Sequence, residues 1–213
     1  RVGAFTSADV PKIMQLSPDL VLTFSDLQAE IAAALIREGV EVHAFNQRSV
    51  AGILGMIRRV GLLAGVAEGG ETLAATLEAR VEAVRATPRP RRPRVWFEEW
   101  DEPLISGIGW VSELIGIAGG EDICADLAAR QGARDRIVSP DLLRDRAPEV
   151  ILASWCGKKV VPDRIRARPG WETVPAVAAG RIHEIKAPLI LSPGPAALTE
   201  GLDAILRALW GRA

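Results

Sequence analysis

The segment GETLAATLEARVEAVRAT, Gly70–Thr87, indicates how the whole chain is organised. Its apolar side chains recur at helical spacing and form one stripe: Leu73, Leu77, Val81 and Val84. Pro88 ends the predicted helix, which is about 25 Å long, the width of a small domain. The sequences before and after this helix resemble each other, so we interpret it as a connection between two similar halves. An ordinary surface helix within one domain is the alternative.

Composition excludes several classes of protein. The 213 residues include 26 basic and 27 acidic side chains, so no overall field favours nucleic acid or an anionic membrane. No apolar run is long enough to cross a bilayer. The two cysteines, Cys124 and Cys156, do not form a disulfide framework. The basic run Pro88–Arg94 is interpreted as a solvated boundary between segments.

Short apolar runs alternate with amphipathic segments along the chain. The runs predict strands at Pro18–Phe24, Val40–Phe45, Arg94–Glu98, Pro148–Ala153 and Gly180–Ile185. Helices are predicted at Leu27–Glu38, Val50–Leu63, Trp110–Ala118, Asp141–Asp145 and Ala196–Leu209. This alternation is typical of parallel sheets, in which ligand-facing loops follow the carboxyl ends of the strands.

A weak internal repeat supports two lobes of the same type. SPDLVLTFSD (Ser17–Asp26) and APEVILASWC (Ala147–Cys156) share the order proline, acid, apolar strand and polar loop, and VHAFN and IHEIK share a histidine. We therefore predict an α/β fold with two Rossmann-like lobes, each with a parallel sheet. The predicted boundaries are residues 1–68 for the first lobe, 69–88 for the connecting helix and 89–213 for the second lobe. Because two strands make a marginal sheet, we expect the first lobe to lack an upstream strand–helix unit.

Four carboxylates lie within five residues in Glu98–Glu102, at the end of a predicted strand. Glu98 and Trp100 would share one face if the strand continued. No histidine accompanies the cluster, so a metal site is the weaker hypothesis. Contact with a polar or cationic ligand and a simple solvated loop are the alternatives.

The loop Ser154–Lys159 is the most enzyme-like stretch of the chain. Cys156 stands beside Lys158 and Lys159, which could favour a thiolate nucleophile. Such a nucleophile needs a base, and His43 and His183 both lie inside predicted strands. A free, half-buried cysteine is the competing interpretation, and we favour it.

Other polar side chains suit a cleft. Asp26 and Arg48 follow strands and could clamp a ligand, although either could also cap a helix or pair on the surface. Four tryptophans could stack on a flat ligand, although each could also be a core or rim residue: Trp100, Trp110, Trp155 and Trp171. The sequence contains no P-loop, no Cys/His spacing typical of a metal site and no Ser/His/Asp set.

Several longer motifs together resemble a known family. They are FSDLQAEIAAALIREGVEVHAFNQRSV, VWFEEWDEPLISGIGWVSELIGIAGGEDI, SWCGKK, RPGW and EIKAPLILSPGPAAL. These motifs are similar to those of the class III periplasmic substrate-binding proteins, within them to the group labelled vitamin B12 (cobalamin)-binding proteins of ABC importers. The resemblance covers essentially the whole chain. It implies two α/β lobes joined by one long helix, with the ligand bound between them, and an additional N-terminal strand–helix unit in full-length members.

The resemblance also implies roles for particular residues. Ligand contacts would come from Phe24, Asp26 and Gln28 in the first lobe and from Glu99, Trp100 and Trp155 in the second; the polar loops add Arg48 and Lys158. Glu30 matches the glutamate that docks the first lobe onto the membrane permease. Leu191 occupies the corresponding position of the second lobe, and Leu189 replaces an aromatic residue that packs against the corrin.

The resulting functional hypothesis is a non-catalytic protein that captures a corrinoid such as cobalamin, or a similar metal chelate, for an ABC importer. It implies a periplasmic or extracellular protein, lipid-anchored or soluble, which we expect to be a monomer. No cofactor, protein-bound metal or nucleic acid is expected. The alternative functions are an α/β enzyme that uses Cys156 as nucleophile and a chain that folds without binding a ligand.

Overall fold

The computed structural model describes residues 2–211, and the chain divides into two compact units, residues 1–47 and 48–213. Parallel strands connected by helices occur in both units, which confirms the predicted α/β class. The division after Gln47 assigns the helix at Val50–Leu63 to the second unit. The predicted lobe boundaries at residues 68 and 88 stay a prediction.

The first unit contains a two-stranded parallel sheet, in which β3 pairs with β4 from Val21↔Val42 to Phe24↔Phe45. Its elements in chain order are β1 (Gly3–Ala4), β2 (Ser7–Ala8), α1 (Val10–Met14), β3 (Val21–Phe24), a 3-10 turn (Asp26–Gln28), α2 (Ala29–Arg37) and β4 (Val42–Phe45). Strands β1 and β2 form a separate antiparallel pair. The buried side chains Ile13, Leu35 and Val40 pack together as the small core of this unit.

The second unit is built on a five-stranded sheet. It begins with the helices α3 (Val50–Leu63) and α4 (Ala67–Ala86) and continues with β5 (Arg94–Asp101), β6 (Leu104–Ser106), α5 (Gly109–Ile117), β7 (Glu121–Asp122), α6 (Pro140–Arg146), β8 (Val150–Ala153), α7 (Pro162–Arg166), α8 (Pro175–Ala178), β9 (Ile182–Glu184), α9 (Ala187–Ile190), a π-helical segment (Ala197–Gly201) and α10 (Leu202–Trp210). The strand order is β6-β5-β8-β9, and β7 pairs with the start of β5. Because β5, β8 and β9 are parallel, their carboxyl ends meet at one edge of the sheet.

Helix α4 confirms the long helix predicted from the sequence, with a different buried face. Leu73 is exposed, and the buried positions are Gly70, Ala74, Leu77 and Val81. The reason is the close approach of α3, because a Cβ added to Gly70 would lie 2.9 Å from the Cα of Gly61. Only glycine at both positions lets the helices approach so closely, and this approach rotates the buried stripe towards Gly70.

The core of the second unit is rich in tryptophan. Trp96, Trp155 and Trp171 belong to one cluster of buried residues, in which they pack with aliphatic side chains such as Ile151. Strand β8 is buried along its whole length, as the apolar run VILA predicted for a central parallel strand. This rigid centre supports the loops at the carboxyl ends of the strands.

The structure corrects one boundary that concerns the candidate site. The sequence predicted a strand that ended at Glu98, followed by an acidic loop, but β5 continues to Asp101 and pairs there with β6. Short elements were also missed, among them β6 and β7, because two or three residues carry no periodic signal. Among residues 2–211, no helix has both the length and the apolar character that crossing a bilayer requires.

Candidate functional site

In the first unit, the loop after β3 is held by a side-chain amide. Gln28 Oε1 accepts the backbone N–H of Phe24 at 2.8 Å, and Gln28 Nε2 donates to the carbonyl of Phe5 at 2.8 Å. Ser25 has a positive φ of 69°, and its hydroxyl accepts the N–H of Leu27. The loop therefore has a defined shape, and Gln28 is occupied in maintaining it.

Three further residues selected from the sequence are Asp26, Glu30 and Arg48. Asp26 is exposed at the start of the 3-10 turn, and Glu30 is exposed in the first turn of α2. Arg48 is half-buried at the start of the second unit. Its carbonyl lies against α5, since a Cβ added to Gly109 would be 2.3 Å from that oxygen. No contact with a ligand is tested for any of them, so their binding and docking roles stay predictions.

In the second unit, Glu98 accepts hydrogen bonds from three side chains. Its carboxylate is fully buried and receives the indole N–H of Trp96 at 3.0 Å and that of Trp155 at 2.9 Å. The guanidinium of Arg168 donates to both oxygens, at 2.6 and 2.8 Å. Arg168 also lies over the ring of Trp171, 4.6 Å from its centroid. One buried carboxylate thus connects β5 to the segments that follow β8 and α7.

Glu99 is paired in the same way on the pocket side of β5. Arg136 donates to both of its oxygens, at 2.8 and 3.0 Å, and also to the carbonyl of Ser106. The Arg136 side chain is only 1% exposed, whereas that of Glu99 is 18% exposed. The buried guanidinium therefore balances the charge of Glu99, and the carboxylate stays in place at the surface.

Asp101 and Lys158 form the third ion pair of this region. Burial opposes ionisation of Asp101, but the hydrogen bond from Lys158 and the charge of Arg164 outweigh it and lower the pKa of this carboxyl. The Lys158 amine lies 4.1 Å from the centroid of the Trp100 ring and 5.1 Å from that of Trp155. One amine therefore connects a buried carboxylate to two tryptophans.

Three of the four carboxylates of the acidic cluster lie in β5 and are paired, whereas Glu102, in the turn after β5, is exposed. Glu98, Glu99 and Asp101 each have a cationic partner from elsewhere in the sequence. A shift in register between Glu98 and Trp100 interrupts the alternation of β5, so that Glu98 lies in the core and Trp100 is half-buried. Within residues 2–211, no group of three or more His, Cys, Asp or Glu side chains is arranged to hold a metal ion.

An open pocket of about 640 Å³ lies beside Trp100, and we call it the apolar pocket. Its lining is mostly hydrophobic: Glu99, Trp100, Pro103, Ile105, Ala133, Arg134, Ile137 and Cys156. Ile137 pairs with Ile105 through a single β-bridge and keeps 47% of its surface exposed. The volume is in the range of small-molecule sites, and the flat aromatic wall suits a planar ligand.

A smaller pocket of about 270 Å³ lies at the carboxyl ends of β8 and β9, and we call it the lysine pocket. Its lining residues come from two loops: Trp155, Gly157, Lys158, Lys159, Glu184, Ile185, Lys186, Ala187 and Pro188. Trp155 is only 2% exposed, so it contributes to the floor of this pocket and does not present an open face. Its predicted stacking on a ligand stays a prediction.

Cys156 is a free, exposed thiol on the wall of the apolar pocket. His43 lies in β4 and His183 in β9, as predicted, and neither lines the apolar pocket or the lysine pocket. The Lys158 amine is paired with Asp101. The hypothesis of a nucleophilic Cys156 stays a prediction.

The structure brings four of the sequence-predicted residues to two adjoining pockets. Glu99 and Trp100 line the apolar pocket, and Trp155 and Lys158 line the lysine pocket. Sequence reasoning placed Lys159 and Lys186 in ligand-facing loops but did not name them, or Ile105 and Ile137, as ligand contacts. Ile105 and Ile137 come from two segments that pair through a single β-bridge, which no local sequence pattern predicts. The lysines that follow two predicted strands could have indicated Lys159 and Lys186.

Sequence and structure comparisons agree on one class of protein. The sequence profile of the periplasmic binding protein family matches residues 1–189. The heme-binding protein RhuT from Roseiflexus sp. RS-1 is 25% identical, with a TM-score of 0.80 over 98% of this chain and 83% of that protein. No protein of curated function matches the chain by sequence.

Two further solved structures share the fold at lower identity. An ABC transporter substrate-binding protein from Listeria monocytogenes EGD-e has a TM-score of 0.82 and 18% identity, over 100% of this chain and 84% of its own. The vitamin B12-binding protein BtuF of Vibrio cholerae has a TM-score of 0.74 and 20% identity, over 98% of this chain and 80% of its own. The family predicted from the sequence motifs is therefore confirmed.

Proposed function

Because the chain belongs to the periplasmic binding protein family, we propose that it is the substrate-binding component of an ABC importer and that it binds a tetrapyrrole metal chelate, either a corrinoid or a heme. The family consists of binding proteins and not of enzymes. In this proposal the chain acts outside the cytoplasm, as a monomer, and delivers its ligand to a membrane permease through a contact that includes Glu30.

The observation that carries the proposal is the apolar pocket. Its volume of about 640 Å³ and its lining of Trp100, Ile105, Pro103 and Ile137 suit a broad, flat, largely hydrophobic ligand. Burial of such a ligand against a tryptophan is favourable, because it removes apolar surface of both partners from water.

Two ion pairs hold side chains beside the apolar pocket in position. Arg136 holds Glu99 at one side, and the pair of Lys158 with Asp101 holds the amine beside Trp100 at the other. Preorganised walls lower the cost of ordering side chains on binding, which favours a tight complex.

Proteins of the same fold lend support to this ligand class. RhuT is a heme-binding protein at 25% identity, and BtuF is a vitamin B12-binding protein. Both ligands are metal chelates of planar macrocycles, so the shared chemistry is a tetrapyrrole ring. The two ligands differ in charge and bulk, and a direct titration distinguishes them.

The experiment is titration of the purified chain with hemin and, separately, with cyanocobalamin. Binding is followed by the change in visible absorption and by the rise in unfolding temperature that a ligand of the native state causes. We expect a dissociation constant in the micromolar range or below for one of them, about −8 kcal/mol or better. If neither compound changes the absorption or the unfolding temperature, the tetrapyrrole proposal is wrong.

A further inference from the structure

The lysines of this chain are concentrated at one place. The sequence contains four lysines, Lys12, Lys158, Lys159 and Lys186, and the other 22 of its 26 basic residues are arginines. Three of the four lysines line the lysine pocket. Lys158 and Lys159 lie 28 and 27 positions before Lys186 in the sequence. No arginine lines this pocket. The concentration therefore arises from the fold, which brings the loops after β8 and β9 together.

The positive charge of the lysine pocket is only partly balanced. Lys158 is paired with Asp101, and Glu184 is the one acidic side chain of the lining. Glu184 Oε1 is already engaged, because it accepts the backbone N–H of Val160 at 3.1 Å. In the part of the chain that the structure describes, Lys159 and Lys186 form no ion pair or hydrogen bond through their amines. Two amines are thus free to bind an anion.

The lysine pocket adjoins the apolar pocket. Cys156 lines the apolar pocket, and its chain neighbours Trp155 and Gly157 line the lysine pocket. Adjacent Cα atoms are about 3.8 Å apart, so one loop separates the two pockets. Both are at the carboxyl ends of parallel strands, the edge at which α/β sheets bind ligands. The Lys158 amine of the lysine pocket lies 4.1 Å from the centroid of the Trp100 ring, which lines the apolar pocket, so the two pockets are close enough for one ligand of macrocycle size.

We propose that the lysine pocket is an anion subsite, in which Lys159 and Lys186 bind a carboxylate or phosphate carried by the ligand whose apolar body occupies the pocket beside Trp100. The inference rests on the proposed function and specifies the ligand further, as a chelate that is apolar on its faces and anionic at one edge. Lysine suits this role because its flexible ammonium group binds an anion as a point charge without requiring a planar partner.

The first test uses inorganic phosphate and does not depend on a tetrapyrrole. Reductive methylation of the full chain with ¹³C-formaldehyde labels its four lysines, and their NMR signals are assigned with single Lys→Ala variants. On titration with phosphate, we expect the signals of Lys159 and Lys186 to shift together with one saturable affinity. Lys12 is the control, since it lies on α1 in the other unit. Equal, non-saturating shifts at all four lysines would overturn the proposal.

The second test compares charged and uncharged forms of one ligand. Hemin carries two carboxylates that its dimethyl ester lacks. In the variant K159A/K186A, we expect hemin to bind about ten-fold more weakly, whereas the ester should bind the wild type and the variant equally. K12A should bind both as the wild type does. An equal loss of affinity for hemin and for the ester would show that the lysines only support the structure. An unchanged affinity for hemin would show that its carboxylates bind elsewhere. Either result contradicts the anion subsite.

The two tests separate the two proposals. If neither hemin nor cyanocobalamin binds, the tetrapyrrole function fails, while the phosphate titration still decides whether the lysine pocket binds anions. If hemin binds and phosphate produces no selective shift at Lys159 and Lys186, the tetrapyrrole function stands and the anion subsite fails.

Discussion

The Arg168 guanidinium and the Glu98 carboxylate form a bidentate ion pair across 70 positions of sequence, with N–O distances of 2.6 and 2.8 Å. The Glu98 side chain is fully buried, and that of Arg168 is 16% exposed. The same carboxylate accepts the indole N–H of Trp155. Trp155 lines the lysine pocket, and the next residue, Cys156, lines the apolar pocket. The pair therefore supports both pockets from the core.

Loss of Arg168 should destabilise the protein strongly. In R168A, the buried carboxylate of Glu98 keeps only two indole donors and loses its counter-charge. We expect the free energy of unfolding to fall by about 3 kcal/mol, measured by urea denaturation. R166A is the matched control, because Arg166 pairs with Asp163 on the surface of α7 and should change stability by no more than about 0.5 kcal/mol. Equal stability of R168A and the wild type would contradict the role of the pair.

Trp100 should determine affinity for the ligand. We expect W100A to bind hemin or cyanocobalamin, whichever binds the wild type, about thirty-fold more weakly, since a buried tryptophan contact contributes about 2 kcal/mol. The measurement is the absorption titration described above.

Trp210 provides a matched control for this substitution. Each of the two indoles donates to a backbone carbonyl, at 2.9 Å for Trp100 and 2.8 Å for Trp210, and each ring has a cation above it. Trp210 lines neither the apolar pocket nor the lysine pocket. W210A should therefore retain the affinity of the wild type, and a similar loss in both variants would contradict a ligand contact of Trp100.

The two cysteines should differ in reactivity, and the ligand should protect one of them. Burial raises the pKa of the Cys124 thiol to about 12, so this residue has almost no thiolate at neutral pH. Cys156 is exposed on the wall of the apolar pocket. We expect iodoacetamide to modify Cys156 alone in the folded protein, to modify Cys124 only after unfolding in urea, and to react more slowly with Cys156 when the ligand is bound.

Peptide mass spectrometry after timed alkylation measures both rates. Slow alkylation of Cys156 in the protein without ligand would contradict its exposure on the pocket wall. An unchanged rate of Cys156 alkylation in the ligand-saturated protein would contradict the placement of the ligand in the apolar pocket. Rapid alkylation of Cys124 in the native state would contradict its burial.

Glu149 should contribute a pH-dependent part of the stability. The backbone N–H of Arg94 donates to its carboxylate at 2.8 Å, and this bond, with the guanidinium of Arg91, lowers the pKa of Glu149. A carboxyl with a lowered pKa in the folded state stabilises the protein above the usual carboxyl range, and this contribution is lost as the pH falls through the lowered value. E149Q should therefore be less stable than the wild type at pH 7, and the difference should shrink on acidification.

Urea denaturation at a series of pH values between about 7 and 3 measures this difference. E172Q is the control, because Glu172 is exposed and has no hydrogen bond or ion pair among the described residues. A difference between E149Q and the wild type that is constant with pH, or that grows on acidification, would contradict the assignment.

Much of the architecture could be predicted from local sequence. Val50–Leu63 is a helix with the predicted bounds, and α4 extends the predicted helix by a few residues at its start. The parallel strands β3, β4, β8 and β9 lie within the predicted apolar runs. Such patterns are readable because a continuous apolar run or a helical stripe reflects burial of the same segment that carries it. The long motifs were sufficient to identify the family.

The partners of the charged residues could not be predicted. The acidic run in Glu98–Glu102 has the composition of a solvated loop, but its carboxylates bind Arg168, Arg136 and Lys158 from distant segments. Likewise, the buried face of α4 depends on the contact between Gly61 and Gly70, which lie on different helices. In both cases the deciding interaction joins residues far apart in the chain or on separate elements.

The amino-acid sequence by itself determined the class of fold, the main helices and strands and the family, because each of these depends on patterns within one segment or one motif. Only the tertiary structure decided that Ile105, Ile137 and Cys156 line an apolar pocket with Trp100 and that lysines from two loops adjoin it. The physical reason is that a pocket is made of side chains from different strand ends, and their proximity depends on strand order and register. Those are properties of the assembled sheet and not of any one stretch of sequence.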